Sequence, residues 1–143
     1  MTSFAIKQVN NSKPAVTSLL NSLQKTCLPY DKLYDTRSGY WWTAVDGGGI
    51  PCGFAGLVAS VRWCDTGYLC RAGVVPTHRG QGLQKKLIAV RIRKAKALGW
   101  NWLITDTHDN PASANSLIAC GFKMFEPSMP WGARGTLYWR KKL

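Results

Sequence analysis

The run Phe4-Ala5-Ile6-Lys7-Gln8-Val9 alternates between apolar and polar positions and predicts a strand. Pro14 opens a stretch with leucines at 19, 20 and 23, the spacing of one helical face, and Pro29 breaks it. Tyr40 to Val45 is rich in residues that suit a pleated surface, and Asp46-Gly47-Gly48-Gly49 is a turn signal. Phe54 to Trp63 and Tyr68 to Val75, joined by Cys64-Asp65-Thr66-Gly67, predict an antiparallel hairpin that Pro76 ends. From Gly82 to Leu98 the pattern is helical. At about 100° per residue, Leu83, Leu87, Val90 and Leu98 gather on one side, with Lys85, Lys86, Arg93 and Lys96 on the other. Gly99 stands where a helix C-terminus needs it. Trp100 to Thr105 predicts an apolar strand, and Asn110-Pro111 supplies the cap and first residue of another helix, ending at Gly121. Phe122 to Phe125 and Thr136 to Arg140 predict closing strands around a loop holding Pro127, Pro130, Gly132 and Gly135. The order β-α-β-β-β-α-β-α-β-β predicts an α/β fold with one sheet of mixed direction.

Length and composition narrow this to one domain over residues 1–143. The chain is 45% hydrophobic and 11% aromatic, which excludes a disordered polymer. No window offers the roughly 18 consecutive apolar residues of a membrane span, and the first residues lack a signal peptide's layout. The expectation is a cytoplasmic protein without membrane attachment. Cys27, Cys52, Cys64, Cys70 and Cys120 form no C-x-x-C pair and have no histidine at zinc spacing, so reduced structural thiols and no metal are expected.

The net charge of +12 is unevenly placed. Between Asp65 and Asp106 no acid occurs, while Arg71, Arg79, Lys85, Lys86, Arg91, Arg93, Lys94 and Lys96 do. Such a field attracts a polyanion: nucleic acid, a nucleotide cofactor or an acidic protein. For the four cations on the helix arc, ordinary solvation is explanation enough. Arg79 precedes that helix and needs another.

The segment Val74-Val75-Pro76-Thr77-His78-Arg79-Gly80-Gln81-Gly82-Leu83-Gln84-Lys85 carries strand, loop and basic helix in succession. Unpaired N–H groups and the dipole at such a helix start attract phosphate, glycines let it approach, and arginine adds a fork of donors. A P-loop would need Gly-Lys-Ser/Thr, which is absent. A dinucleotide turn would need glycine at Lys85, although Asp106 stands near the offset of a ribose-binding acid. Val-x-Pro-x-x-Arg-Gly-x-Gly-Leu instead resembles the acyl-CoA motif of the GNAT superfamily of N-acetyltransferases. That pattern, Arg/Gln-x-x-Gly-x-Gly/Ala, is met by Arg79 and Gly82 and departed from at Gln84, whose long side chain crowds the pyrophosphate or turns aside to donate a hydrogen bond. Asn110-Pro111-Ala112-Ser113 through Cys120-Gly121-Phe122 resembles a second motif of the family. Ordinary turn and cap duty is the competing explanation for Gly80, Gly82 and Asn110.

The resemblance implies a mixed, mostly antiparallel central sheet flanked by helices, with the acyl-CoA site where the fourth strand meets the following helix. It implies acetyl-CoA as cosubstrate, no metal, and direct attack by a primary amine of a small molecule, protein or aminoacyl group. Gly73, Val74 and Val75 would hold the pantetheine arm, residues Arg79, Gly80, Gln81, Gly82, Leu83, Gln84 and Lys85 the pyrophosphate, and Asn110 and Ser113 the pantetheine end. Many members place an acid, tyrosine, at the position of Leu117, which cannot donate a proton; members with Asn-x-x-Ser commonly carry leucine there too.

Asp106, His108 and Tyr138 are left as candidates for proton transfer, besides a water relay. Asp106 serves equally well as a turn cap, and His108 as a loop residue. Tyr30, Asp31, Tyr34, Asp35, Tyr40, Trp41 and Trp131 are candidates for an aromatic, acidic amine pocket, or else surface residues around Pro29. Lys123, Arg134, Arg140, Lys141 and Lys142 leave room for tRNA or an acidic protein as partner, to a monomer or homodimer. The alternative to an enzyme is a catalytically weak or inactive module on the same fold that binds nucleic acid or an acidic partner through its basic surface.

Overall fold

A computed structural model describes residues 3–143. Its elements follow the predicted order: β1 (Ala5–Val9), α1 (Pro14–Cys27), β2 (Tyr40–Val45), β3 (Pro51–Ala59), β4 (Thr66–Val74), α2 (Leu83–Ala97), β5 (Trp102–Thr107), α3 (Pro111–Ala119), β6 (Lys123–Phe125) and β7 (Leu137–Lys142). The strands form one seven-stranded sheet in the order β1-β2-β3-β4-β5-β7-β6. Every pairing is antiparallel except β4 with β5. A mixed, mostly antiparallel sheet flanked by helices is therefore the fold.

The hairpin of β3 and β4 lies earlier than its sequence pattern suggests. Ser60 Oγ accepts the N–H groups of Arg62 and Trp63, and Asp65 adopts a φ of 52°, so residues 60–65 leave the ladder as the turn. Helix α2 ends as predicted, with Gly99 at φ 78° and its N–H donated to Lys96 O.

The sheet separates two layers. On one face α1 packs Leu20, Leu23 and Cys27 against Trp41 and Phe54. The approach is close: a Cβ on Gly73 would stand 2.5 Å from that of Cys27. The other face is covered by α2 and α3, where Ile88, Ala95 and Leu117 meet Trp42, Leu57, Leu69, Leu103, Phe122 and Trp139. Cys120 packs partly buried against this cluster rather than inside it.

Charge placement on α2 differs from the pattern in one respect. Leu98 lies beyond the last helical turn and is 36% exposed, while Arg91, one of the cations of the acid-free stretch, is 3% exposed. Its guanidinium donates through Nε to Leu87 O (3.1 Å) and through Nη1 to Gly56 O (3.2 Å). Burial pushes its pKa down to about 10, so it stays charged at neutral pH. Gly56 faces the stretch of β4 where register with β3 slips between Leu69 and Ala72. The arginine thus satisfies a carbonyl beside a bulge. Arg91→Ala is expected to destabilise the fold by about 2–4 kcal/mol, through the lost volume and the orphaned Gly56 carbonyl. Urea unfolding monitored by tryptophan fluorescence measures it.

Candidate active site

The parallel pairing of β4 and β5 lasts only from Thr66–Trp102 to Tyr68–Ile104. Past that point β4 stays with β3 and β5 with β7, so the sheet opens into a wedge. Thr105 Oγ1 donates to Leu69 O at 2.9 Å where the wedge begins. Strand edges that diverge leave backbone N–H and C=O groups without ladder partners, a ready place for an extended ligand arm.

Two compartments fill the opening, of about 560 and 360 Å³. Both are lined by Ala72, Gln84, Asn110, Ser113 and Ser116, so they adjoin. The larger is the basic end. Gly73, Val74, Arg79, Gly80, Gly82, Leu83, Gln84 and Lys85 meet there with Asn110 and Ser113, and no acidic side chain is among its walls. Gly80 and Gly82 both adopt a φ of 79°, which favours glycine, and a Cβ on either would meet nothing within 4 Å. Gly82 caps α2 without any side-chain hydrogen bond, and the first turn holds no acid. The helix start is therefore open to an anion.

Arg79 Nε donates to Val74 O at 3.0 Å, which anchors the guanidinium at the rim of the larger compartment that it lines. The short 3₁₀ turn Pro76–His78 before it is pinned by His78 Nε2 against Asp46 Oδ2 at 3.0 Å. The Ile50 N–H, with His78 and the Gly48 N–H beside it, holds the Asp46 carboxyl below the usual range. Across the cleft, Asn110 caps α3 by accepting the Ser113 N–H at 3.1 Å, as its place before Pro111 predicts. Gln84 Oε1 is buried at the boundary of the two compartments without a hydrogen-bond donor among the described residues.

The smaller compartment is the acidic end, lined by Asp31 and Asp106. Asp106 Oδ2 accepts two hydrogen bonds, from Tyr68 Oη at 2.6 Å and from Trp131 Nε1 at 2.8 Å. Burial, then the Asp106 charge, pushes the Tyr68 hydroxyl well above its ordinary range, so it remains a donor. Asp31 pairs with Arg71 at 3.1 Å. Arg91 closes the compartment beside Leu117.

Several expected residues lie elsewhere. Val75 and Gln81 line neither compartment: Val75 continues the ladder by donating to Cys52 O at 2.9 Å, and Gln81 is exposed. Tyr138 also lies outside both; its hydroxyl accepts the Gly132 N–H at 2.9 Å, and it packs edge-on against Trp131. Of the proposed amine pocket, Trp41 is core, Tyr30 is 99% exposed, Asp35 pairs with Arg37, and Tyr40 lies beneath Lys94. Only Asp31 and Trp131 reach the acidic end. Neither Tyr68 nor Ser116 is among the residues the sequence singles out. Ser116 had a signal, three residues after Ser113 on a helix, whereas Tyr68 depends on the strand register with Ile104.

Cys27 and Cys70 line the two compartments, and burial pushes both thiols up. Neither is a thiolate at neutral pH, which disfavours a covalent acyl-cysteine route. Among the described residues no cluster suits a metal ion, and no helix is long and apolar enough to cross a membrane.

Solved structures with the same architecture come from acetyltransferases. An acetyltransferase from Bacillus subtilis in complex with CoA is 18% identical over 99% of each chain, with a TM-score of 0.76. One from Salmonella typhimurium, with acetyl-CoA, is 18% identical over 97% of this chain and 93% of that one, at a TM-score of 0.71. A chain of the NatC complex bound to Gag peptide and CoA gives a TM-score of 0.78 at 18% identity, covering 98% of both. No curated protein matches the sequence. The model of the acetyltransferase (GNAT) family matches residues 13–122, most of the chain, so the protein belongs to the GNAT family of acetyltransferases.

Proposed function

We propose that the chain, folded as a single domain, transfers an acetyl group from acetyl-CoA to a primary amine by direct attack in a ternary complex. The observation that carries this reading is the polarity of the cleft: a cationic, glycine-lined end without acids adjoins an end where the Asp106 carboxylate has no cationic partner among the described residues. Phosphates suit the first and an ammonium the second.

The residues present fit the cosubstrate. Gly80 and Gly82 leave their side open, and the free N–H groups of α2 and the guanidinium of Arg79 receive the pyrophosphate. Gln84, which replaces the family's small residue, accepts an amide N–H of the pantetheine arm with its orphaned Oε1. Gly73 and Val74 border that arm from β4, and Asn110 and Ser113 from α3. Bound acetyl-CoA supplies an activated thioester.

Asp106 holds the amine through Oδ1, since Oδ2 is engaged by Tyr68 and Trp131. It takes one proton from the ammonium. The free amine then forms the C–N bond as the C–S bond breaks, and the nitrogen's second proton goes to the departing sulfur. Leu117, buried and apolar, leaves that last step to solvent in the cavity. Holding both reactants in one wedge supplies much of the rate. Peptide and protein amines fit an acceptor end that opens toward solvent past Asp31, as do small alkyl amines and aminoacyl groups. Leu117, which offers no proton donor, favours the second reading, a module with weak catalysis that binds a polyanion.

Acetyl-CoA at about 100 times its Kd is expected to add about 2.7 kcal/mol of stability, which raises Tm by about 5–10 °C in a domain of this size. No shift at saturating acetyl-CoA would overturn the proposal. Thiol release with a panel of amines, peptides and aminoacyl-tRNA identifies the acceptor, and absence of release despite a Tm shift selects the binding module.

A further inference from the structure

The α1 layer covers β3 and β4, which leaves the same face of β5, β7 and β6 without a helix. Register brings Trp102 opposite Lys142, Ile104 opposite Arg140 and Asp106 opposite Tyr138, while Lys123 and Phe125 face Arg140 and Tyr138 from β6. Partners opposite each other in a ladder point to the same side. Trp139, one residue out of phase, is packed in the core under α2 and α3, so this row faces away from those helices.

Ile104 and Tyr138 are buried within this row, and around them exposed cations alternate with the half-buried rings of Trp63, Trp102, Phe125 and Trp131. Arg140 lies over Trp102 at 5.4 Å and over Phe125 at 4.8 Å. Phe125 packs at 5.4 Å against Trp63, and on its other side against Tyr138, which meets Trp131. Arg62 lies over Trp131 at 4.6 Å, and Trp131 ends on Asp106. Arg62, Lys123, Arg140 and Lys142 are exposed. The salt bridges among the described residues involve only Asp31, Asp35 and Asp46, so none of these four cations has an acidic partner. Asp65 and Glu126 flank the strip, which leaves it net positive.

Solvation alone accounts for lysines on a helix arc, but not for guanidinium groups stacked on tryptophan and phenylalanine. Rings fix the arginines in place at low entropic cost while both residues stay exposed to solvent. A charged peptide would satisfy the cations without using flat surfaces. Bases joined by phosphates use both. We propose that this open sheet face docks single-stranded nucleic acid along β5, β7 and β6, with the strand running toward Asp106. The inference stands apart from the acetyl-transfer chemistry, since docking needs neither acetyl-CoA nor Asp106.

The test is fluorescence anisotropy of the full chain, without acetyl-CoA, using labelled oligouridylate and oligothymidylate of about 12 nucleotides. Four phosphate contacts on a single strand give a log–log salt slope of about −3 between roughly 50 and 200 mM salt. The double substitution Arg140→Gln and Lys142→Gln is expected to weaken binding about tenfold or more and to bring the slope to about −1.5. Arg93→Gln with Lys96→Gln removes the same charge from the exposed arc of α2 and is expected to change affinity less than twofold. Tighter binding of the uridylate identifies RNA through its 2′-hydroxyls, and equal binding identifies either strand; both support the site. Equal loss from the two double variants, a flat salt dependence, or equal competition by polyglutamate of the same length overturns it.

Discussion

Replacing Asp106 by asparagine is expected to lower kcat by about 10²–10³ at neutral pH, while the KM for acetyl-CoA stays within about twofold. Asparagine has the same shape and keeps an oxygen to accept the Tyr68 hydroxyl and the Trp131 indole N–H, so the acceptor end keeps its form. What it lacks is a site for a proton. The pH dependence separates this role from a structural one. An alkyl ammonium ionises at about 10 and an α-amino group at about 8, so more of the acceptor arrives already deprotonated as pH rises. The deficit should therefore shrink toward high pH, and a deficit constant from pH 7 to pH 10 (about the acceptor's own range) would remove Asp106 from the proton path. Tyr68→Phe provides the graded control. It deletes one donor to Oδ2, leaves the carboxylate in place, and is expected to cost roughly tenfold in kcat, the share of one charge-assisted hydrogen bond.

Residues whose role is written in local backbone geometry were the legible ones. Gly80 and Gly82 stand where the chain takes φ 79°, and Asn110 caps α3 one residue ahead of a proline that fixes the first turn. These requirements act over two or three residues, and so does a motif. The wedge is a different kind of object. It exists because β4 pairs with β5 for three residues and then departs, and no window of either strand records where that pairing stops. Tyr68 was invisible for the same reason, since its hydroxyl meets Asp106 only through the register of Tyr68 with Ile104.

Arg91 shows a limit of charge patterning. Among the cations of the acid-free stretch its charge alone gives no sign of burial, yet the Leu87 and Gly56 carbonyls compensate its lost hydration and draw it under the sheet. The amine pocket was legible only in kind. Two carboxylates do meet aromatic side chains, but Asp35 and Trp41 belong to a surface ion pair and the core, while Tyr68 takes the place expected of a residue near Pro29. The same register that hid Tyr68 also hid the stacked strip beyond Asp106. Its tryptophans are scattered over residues 63–131 and come together only through β5, β7 and β6.

The second large effect belongs to the cationic end. Arg79→Ala is expected to raise the KM for acetyl-CoA by about 10–100-fold, the loss of about 1.5–3 kcal/mol from hydrogen bonds to a charged group, with kcat changed less than about threefold. The split follows from position. Arg79 lines the larger compartment and not the one that holds Asp106, so its guanidinium contributes equally to ground and transition states. Arg79→Lys should recover only part of the affinity. An ammonium cannot donate to Val74 O in the place of Nε and also present a two-pronged face to phosphate. Salt provides an independent check, because the wild-type KM should climb with ionic strength more steeply than that of Arg79→Ala. Gln84→Leu distinguishes the loop from the helix beside it. Leucine fills nearly the same space but offers no acceptor, so a rise in KM without any change in salt dependence is expected if the orphaned Oε1 receives an amide N–H. A KM for acetyl-CoA that falls in Gln84→Gly and is unmoved in Gln84→Leu would show instead that the side chain only crowds the cleft.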